Sequence, residues 1–318
     1  TNCDKPVMIG QLQVLEVPDL DGAEHAIAEA KQKLMAFCND IPSRMIALGG
    51  GCKDIETRQL QTPMGTMLIV HLLVDCRDAM GANAVNTMAE RISPQIEALT
   101  KGRVHLRILS NLAAHRLARV EATFTPEELS NDGTREDGLN IIDGILEAHV
   151  FAEEDPFRAA THNKGIMNAI SSVAVACGQD WRAIEAGSHA WTSLEHGRYT
   201  SMSTWIKDDD GNLVGTMELP MAVGIVGGAS KVHPVAQANL SILGVESAQE
   251  LAGVMVCAGL AQNLGALRAL STNGIQAGHM KLHSKNMAVS AGAIGEEIEL
   301  LSQRIQQHEG VRTQTMAE

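Results

Sequence analysis

Apolar and polar residues alternate with two different periods in the first third of the chain. A period of two is typical of a strand with one buried face, and a period near 3.6 is typical of an amphipathic helix. The pattern predicts a strand at 7–17, a helix at 21–38, strands at 54–61 and 66–75, a helix at 79–99 and a strand at 103–109. Residues 62–65 are typical of a hairpin turn. Asp21 is the expected N-cap of the first helix, and Pro94 is expected to kink or end the second helix. The order βαββαβ is that of a ferredoxin-like sandwich, which closes near Asn111.

Helical periods dominate after residue 112. The pattern predicts a surface loop at 130–138, helices at 139–152, 156–176 and 180–189, and a hairpin of strands 204–207 and 212–216. A capping box at 247–250 opens a long helix of small and apolar residues that runs toward Ser271. Such a helix is expected to be buried on most sides.

Composition excludes several classes of function. Of the 318 residues, 45% are apolar and 20% are charged, so we expect a sizeable core. The 25 basic and 38 acidic residues give a net charge of −13, and aromatic residues make up only 3%, which disfavours a nucleic-acid partner. The six cysteines are scattered, and neither a leader nor an apolar run near about 18 residues is evident. We therefore expect a cytoplasmic protein with reduced thiols and no membrane contact.

Two glycine-containing runs are candidates for a ligand loop. Residues 78–83, Asp-Ala-Met-Gly-Ala-Asn, stand where a strand gives way to a helix, and the free N–H groups of a helix start suit a phosphate. The alternative is an ordinary helix start with Asp78 as its N-cap, since the run lacks the Rossmann GxGxxG spacing. Residues 224–231 lack the spacing of a nucleotide triphosphatase loop, and they form either a ligand-facing loop or a tight backbone crossing.

Two further pairs carry candidate chemistry. Lys164 and Asn168 lie four residues apart and share one helix face. The lysine is either solvated or held in a pocket by a carboxylate, for which Asp180 is the nearest candidate. His279 and His283 have a spacing that can bind zinc, but no HExxH glutamate and no third ligand is evident. A metal-dependent hydrolase is therefore the weaker alternative.

Several of these runs together resemble the class II (bacterial-type, soluble) HMG-CoA reductases. The runs are 78–83, 161–165, 178–182, 219–228 and 278–283, and they follow one another in the family's order. The resemblance implies an α+β fold with a ferredoxin-like βαββαβ cofactor domain, 7–111, inserted in a larger, mainly helical substrate domain. That domain would comprise residues 1–6 and 112–275, and residues 276–318 would form a C-terminal flap.

The resemblance also implies a reaction and an assembly. Two hydrides from NADH or NADPH, without a metal, would reduce the thioester of HMG-CoA to mevalonate and release CoA, or the reverse. The active sites would form at the subunit interface of a homodimer or a higher homo-oligomer. This chemistry places negative charge on a carbonyl oxygen and expels a thiolate, so it needs a fixed cation and a proton donor.

The family's functional residues match positions in this chain. By resemblance, Lys164 stabilises the oxyanion, Asp180 positions and tunes that lysine, and His279 is the general acid. The expected substrate-binding residues are Arg158, which would pair with the free carboxylate, Asn168 and Asn111. The expected cofactor-binding residues are Asp78, Met80, Gly81 and Asn83.

The family's catalytic glutamate lies upstream of the small domain. The printed sequence begins after that point, so we expect this chain to lack the N-terminal segment that carries it. The alternative function is then a non-catalytic fragment that binds the cofactor or a CoA ester.

Overall fold

The computed structural model describes residues 1–41, 43–272 and 284–307. The strands are β1 (Asn2–Cys3), β2 (Val7–Leu15), β3 (Gly51–Thr62), β4 (Gly65–Asp75), β5 (Arg103–Ser110), β6 (Leu117–Phe124), β7 (Ser203–Lys207) and β8 (Leu213–Pro220). The helices are α1 (Leu20–Asn39), α2 (Arg44–Ala47), α3 (Ala82–Thr100), α4 (Pro126–Leu129), α5 (Arg135–Glu154), α6 (Pro156–Ala176), α7 (Trp181–His196), α8 (Gly228–Val232), α9 (Pro234–Leu243), α10 (Ala248–Ser271), α11 (284–290) and α12 (Glu296–Gln307). The fold is a mixed α+β arrangement with two four-stranded sheets, ordered β1-β6-β8-β7 and β3-β4-β2-β5.

The second sheet contains the strands expected in the first third of the chain. All its neighbouring strands are antiparallel, and the hairpin of β3 and β4 closes with Thr62 opposite Gly65. Helices α1 and α3 pack on the sheet. The core between them has fully buried side chains from both layers: Met8, Leu12, Leu68, Leu72, Met88, Ile92 and Ile96. The alternating burial of β2 follows the period-two pattern of its sequence.

The expected cap of α1 is wrong, and so is the expectation that Pro94 ends the second predicted helix. Asp19 caps α1, because its Oδ1 accepts the N–H of Gly22 at 3.0 Å, so Asp21 lies in the first turn instead. Helix α3 continues through Pro94 to Thr100. Pro94 is on the exposed face, where water can satisfy the carbonyl that proline leaves unpaired, and the buried Ile92 and Ile96 anchor the helix on either side.

The chain divides into two compact units. The first comprises Thr1–Ala122, Ala152–Thr204 and Gly215–Gln262, and the second comprises Thr123–Phe151, Trp205–Val214 and the described residues from Asn263 onward. In the second unit, the indole N–H of the buried Trp205 donates to Oδ1 of Asn263 at 2.7 Å, and the Trp205 ring lies 6.4 Å from that of Phe124. The buried indole is therefore both packed and hydrogen-bonded, as a core tryptophan requires.

Among the helices of the described residues, α10 is the one that is long and apolar enough to cross a membrane. Its most apolar 18-residue stretch has a mean hydropathy of 1.3, and half of that stretch is buried within the protein. By its length and mean hydropathy, α10 therefore contradicts the expectation that the chain has no apolar segment near about 18 residues long. A core helix rich in alanine, glycine and leucine has the same composition, and the partial burial of α10 agrees with that role.

Candidate active site

Three runs that are far apart in the sequence line one cavity of about 380 Å³, all within the first unit. Its lining residues are Ala79 to Ala84, Gly178 to Asp180, Gly224, Val226 to Gly228 and Ser230. We call it the motif cavity. The structure thus brings together four of the predicted site residues: Met80, Gly81, Asn83 and Asp180.

The start of α3 lies at this cavity without a side-chain cap among the described residues. Gly81 is the N-cap, with a φ of +101°, and its hydrogen side chain has no acceptor to offer. First-turn N–H groups have no partner within their own helix, and the helix dipole adds partial positive charge there. An anionic group in the motif cavity would therefore meet unsatisfied donors.

Asp78 does not cap α3, contrary to the alternative raised from the sequence. Its Oδ1 instead accepts the N–H of Ala248, the first residue of α10, at 2.9 Å. Its carbonyl oxygen accepts the N–H groups of Ile225 and Val226 at 2.9 and 3.2 Å. Asp78 therefore fixes the run 78–83 to two other segments of the first unit, and Gly81 takes the N-cap position.

Two glycines of the motif cavity are required by close approach. A Cβ on Gly81 would lie 2.2 Å from Sγ of Cys76, and a Cβ on Gly224 would lie 2.4 Å from the backbone nitrogen of Met80. Both distances are too short for any side chain. The run 224–231 therefore fits both of its sequence interpretations, because Gly224 makes a tight backbone crossing and also lines the cavity.

Gln179 and Arg116 hold the walls of the cavity, and the sequence analysis assigned no role to either. The side-chain amide of Gln179 accepts the N–H of Gly224 at 2.9 Å and donates to the carbonyl of Gly224 at 2.8 Å. Arg116 donates to the carbonyls of Ala79, at 3.1 Å, and Met80, at 3.3 Å. Only the fold reveals these contacts, since no motif spacing joins either residue to its partners.

A second, more open space of about 570 Å³ lies between α6 and α7. Its lining residues are Lys164, Met167, Asn168, Ser171, Ser172, Val175, Ala176, Trp181 and Glu185. We call it the α6–α7 groove. Lys164 and Asn168 are both exposed and share the groove face of α6, as their spacing predicts.

Lys164 and Asp180 are not paired within the chain. Among the described residues, no carboxylate oxygen lies within 4 Å of the Lys164 ammonium. The Asp180 carboxylate caps α7 by accepting the N–H of Ala183 at 3.1 Å, and it lies 3.6 Å from Nε of Arg182. Asp180 lines the motif cavity while Lys164 lines the α6–α7 groove, so the two cavities flank the turn between α6 and α7.

The remaining predicted site residues lie elsewhere. Arg158 is half-buried in the first turn of α6 and lines neither cavity. Asn111 is exposed after β5, where a Cβ on Gly187 of α7 would lie 2.5 Å from its carbonyl oxygen. His279 and His283 lie outside the described residues.

The buried face of α6 is anchored by residues that the sequence analysis did not single out. Nε2 of His162 lies within hydrogen-bonding distance of the hydroxyls of Ser201, at 2.9 Å, and Ser203, at 3.1 Å. Asn163 donates to the carbonyl of Thr200 at 2.8 Å and accepts the N–H of Met202 at 2.9 Å. These contacts fix the turn of α6 that carries Lys164, and buried polar contacts of this kind specify one orientation.

Comparisons with known proteins agree with this arrangement. The family model of hydroxymethylglutaryl-coenzyme A reductase matches residues 1–284. The chain is 52% identical over 293 residues to the 3-hydroxy-3-methylglutaryl-coenzyme A reductase of Archaeoglobus fulgidus. This alignment covers 92% of this chain and 65% of the relative. It is 34% identical over 277 residues to a probable reductase of that name from Borreliella burgdorferi. That alignment covers 86% of this chain and 62% of the relative. The chain thus spans slightly less than two thirds of the length of these relatives.

Two solved structures of the Streptococcus pneumoniae enzyme are similar over 99% of this chain, each with 39% sequence identity. One is described as a class II 3-hydroxy-3-methylglutaryl-CoA reductase bound to NADPH in open conformations; its TM-score is 0.82, and 75% of that chain is covered. The other has a TM-score of 0.83 with 74% of that chain covered. Given the match over most of its sequence and these relatives, the chain belongs to the hydroxymethylglutaryl-coenzyme A reductase family, as a member of the class II type.

Proposed function

We propose that this chain takes part in the reduction of HMG-CoA to mevalonate. In balanced form, HMG-CoA, two NAD(P)H and two protons give mevalonate, CoA and two NAD(P)⁺, or the reverse. The observation that carries the proposal is the motif cavity, where the runs 79–84 and 178–180 lie side by side with the loop after β8. Three of the runs that resemble the family, 78–83, 178–182 and 219–228, thus meet at one place in the first unit.

The motif cavity suits the diphosphate of a nicotinamide dinucleotide. The uncapped N-terminus of α3 offers N–H donors to a diphosphate, and Gly81 and Gly224 keep side chains out of the approach. The bound nicotinamide supplies the hydride. We assign Asp78, Met80, Gly81 and Asn83 to this cofactor site, with Asp78 acting through the segments that it joins. NADPH is supported as the cofactor because a class II relative binds it.

Lys164 is the proposed cation for the carbonyl oxygen. Its ammonium is exposed in the α6–α7 groove and has no carboxylate partner among the described residues, so its charge is available to a substrate. Asn168 lies one turn further along the same face and can donate to a substrate oxygen. Both are held on α6, whose opposite face is fixed through His162 and Asn163. A rigid helix is a better support for a reacting group than a mobile loop.

The other roles follow the family resemblance. Arg158 forms no ion pair among the described residues, which leaves its guanidinium able to bind a substrate carboxylate in bidentate fashion. We assign Asn111 to the substrate as well, and the protonation of the CoA thiolate to His279. Asp180 is the proposed carboxylate that positions Lys164 in the assembled site.

Residues 7–111 are the proposed small cofactor domain. They contain the whole β3-β4-β2-β5 sheet with α1 and α3, in the element order βαββαβ. This strand order is the reason to propose a ferredoxin-like domain inserted between residues 1–6 and 112–275 of the substrate domain. We also propose a cytoplasmic location, which the six unpaired cysteines support.

A homodimer with shared active sites is the proposed assembly. Lys164 lines the α6–α7 groove and the cofactor motif lines another cavity, so a second copy is the proposed means of bringing a substrate on Lys164 to a cofactor. The groove also has apolar side chains exposed at its wall, Val175 at 62% and Trp181 at 42%. An isologous dimer would cover such a surface on both copies at once.

Mixing two inactive variants tests the shared site. Lys164→Ala removes the cation, and Asn83→Asp places a carboxylate at the proposed phosphate site in a helix position where an acidic residue does not weaken the helix. If the lysine and the cofactor motif of one site come from different subunits, unfolding and refolding the mixture should restore about one quarter of wild-type activity, since half the dimers have one intact site. Activity that stays at the level of the separate variants would contradict a shared site.

The direct test of the function is an assay of cofactor oxidation. We expect the absorbance of NADPH or NADH at about 340 nm to fall when HMG-CoA is added, at a ratio of two cofactors per CoA thiol released, as two hydride transfers require. Binding of NADPH is measured separately by fluorescence. Binding without turnover would favour the non-catalytic alternative, and neither binding nor turnover would overturn the proposal.

A further inference from the structure

Arg116 is a buried cation behind the wall of the motif cavity. It precedes β6, and only 5% of its surface is exposed. Its Nη1 donates to the carbonyls of Ala79 and Met80 at 3.1 and 3.3 Å, and its Nη2 donates to the carbonyl of Val223. One side chain therefore ties the start of the cofactor motif to the segment that leads into Gly224.

The charge of Arg116 is not neutralised by a direct ion pair. Among the described residues, no carboxylate oxygen lies within 4 Å of its guanidinium nitrogens. Asp75 and Asp78 are near enough to favour its charged form, and their carboxylates accept the backbone N–H groups of Arg77 and Ala248. Burial lowers the pKa of Arg116 to about 10, so the group still carries its charge at pH 7. A buried charge without a direct ion pair is costly and calls for an explanation.

The hydrogen bonds of Arg116 also orient the peptide groups of the motif. The C=O and N–H of a trans peptide point in opposite directions. Because the carbonyls of Ala79 and Met80 turn toward Arg116, the N–H groups of Met80 and Gly81 turn away from it. Both residues line the motif cavity, and Gly224 packs closely against the backbone nitrogen of Met80.

We propose that Arg116 is a positioning residue for the anionic part of the dinucleotide. It holds the backbone of the run 78–83 so that the N–H of Gly81 is available to the diphosphate, and its buried positive charge favours the negative charge of the diphosphate. The inference rests on the proposed function, because it assigns a diphosphate to the motif cavity. It adds a contributor to cofactor affinity that does not contact the cofactor.

The test compares Arg116→Gln with Arg116→Lys and with a matched control, Arg119→Gln. Arg119 lies on β6 three residues further along, but it is paired with Asp4 and Glu218. Kd is measured by calorimetry for NADPH and for ADP-ribose, which retains the diphosphate and lacks the nicotinamide, at two ionic strengths. We expect Arg116→Gln to raise both Kd values at least about tenfold and to reduce their dependence on salt, as the loss of a charge near the ligand requires.

The Arg116→Lys variant keeps the charge, but an ammonium group lacks the planar fork of donors with which a guanidinium reaches three carbonyls. The Kd values of this variant should therefore lie between those of the wild type and those of Arg116→Gln. KM for the cofactor should rise in both variants while kcat stays within about threefold, because only cofactor binding is affected. Arg119→Gln should leave both Kd values unchanged.

Three results would overturn the inference and leave the proposed function standing. One is a folded Arg116→Gln protein, judged by its melting temperature, with Kd values within twofold of the wild type. Another is an equal change in Arg119→Gln. If Arg116→Gln does not fold, an unchanged Kd in Arg116→Lys decides against it. A wild-type chain that binds neither NADPH nor ADP-ribose would instead overturn the proposed function, and this inference with it.

Discussion

Replacing Lys164 with alanine is expected to lower kcat for HMG-CoA reduction by at least about 10²-fold, since removal of one preorganised donor to an oxyanion costs roughly 3 kcal/mol or more. The charge on the carbonyl oxygen develops only as the hydride arrives, so the lysine contributes more to the transition state than to the bound substrate. We therefore expect the Kd for HMG-CoA to change far less than kcat. Steady-state rates and equilibrium binding of HMG-CoA measure the two quantities.

The exposure of Lys164 makes this variant easy to interpret. Its side chain fills no part of the core, so the melting temperature should be unchanged. Lys33 is a matched control, because it is also exposed on a helix, α1, but lies in neither cavity. Lys33→Ala should keep full activity. A Lys164→Ala protein with a kcat within tenfold of the wild type would remove the lysine from its proposed role.

Replacing Gly81 with alanine is expected to lower the free energy of unfolding by at least about 2 kcal/mol and to abolish measurable NADPH binding. A φ of +101° is costly for any residue with a Cβ, by about 1–3 kcal/mol. The new Cβ would also lie 2.2 Å from Sγ of Cys76, so the motif must shift away from its position over the buried cysteine. Urea denaturation and cofactor titration measure the two losses.

Combining this change with Cys76→Ala separates the two causes. Removing Sγ relieves the contact but not the backbone strain, so the double variant should recover part of the stability lost in Gly81→Ala. Gly265 is a control, since it is exposed in α10, a Cβ added to it would meet no neighbouring atom within 4 Å, and its φ is not positive. Gly265→Ala should stabilise the protein by up to about 1 kcal/mol. Additive effects of the changes at residues 76 and 81 would contradict the steric explanation.

Much of the second sheet could be predicted from the sequence, because its strands and helices have regular periods and its hairpin is short. The helix at 156–176 has the bounds of α6 in the structure. Strand β6 was not expected, although Arg119 to Phe124 alternate between polar and apolar residues with the period of two that is typical of a strand. The local pattern could therefore have predicted this strand.

The candidate site was predictable in part for a related reason. Residues of the run 78–83 and Asp180 share the motif cavity, and Lys164 shares a groove with Asn168, as the family's order of motifs and an i, i+4 spacing led us to expect. The cap formed by Asp78 on α10 joins residues 170 positions apart, and Gln179 reaches Gly224 across 45. No spacing rule covers such distances, so the fold alone assigns these side chains.

The paired hydrogen bonds of Gln179 have a mechanical consequence. They hold Gly224 against the turn in which α6 ends, and Lys164 lies near the middle of that helix. A dinucleotide bound in the motif cavity would hold this glycine in place, and deuterium should then replace the amide proton of Gly224 more slowly than in the free protein.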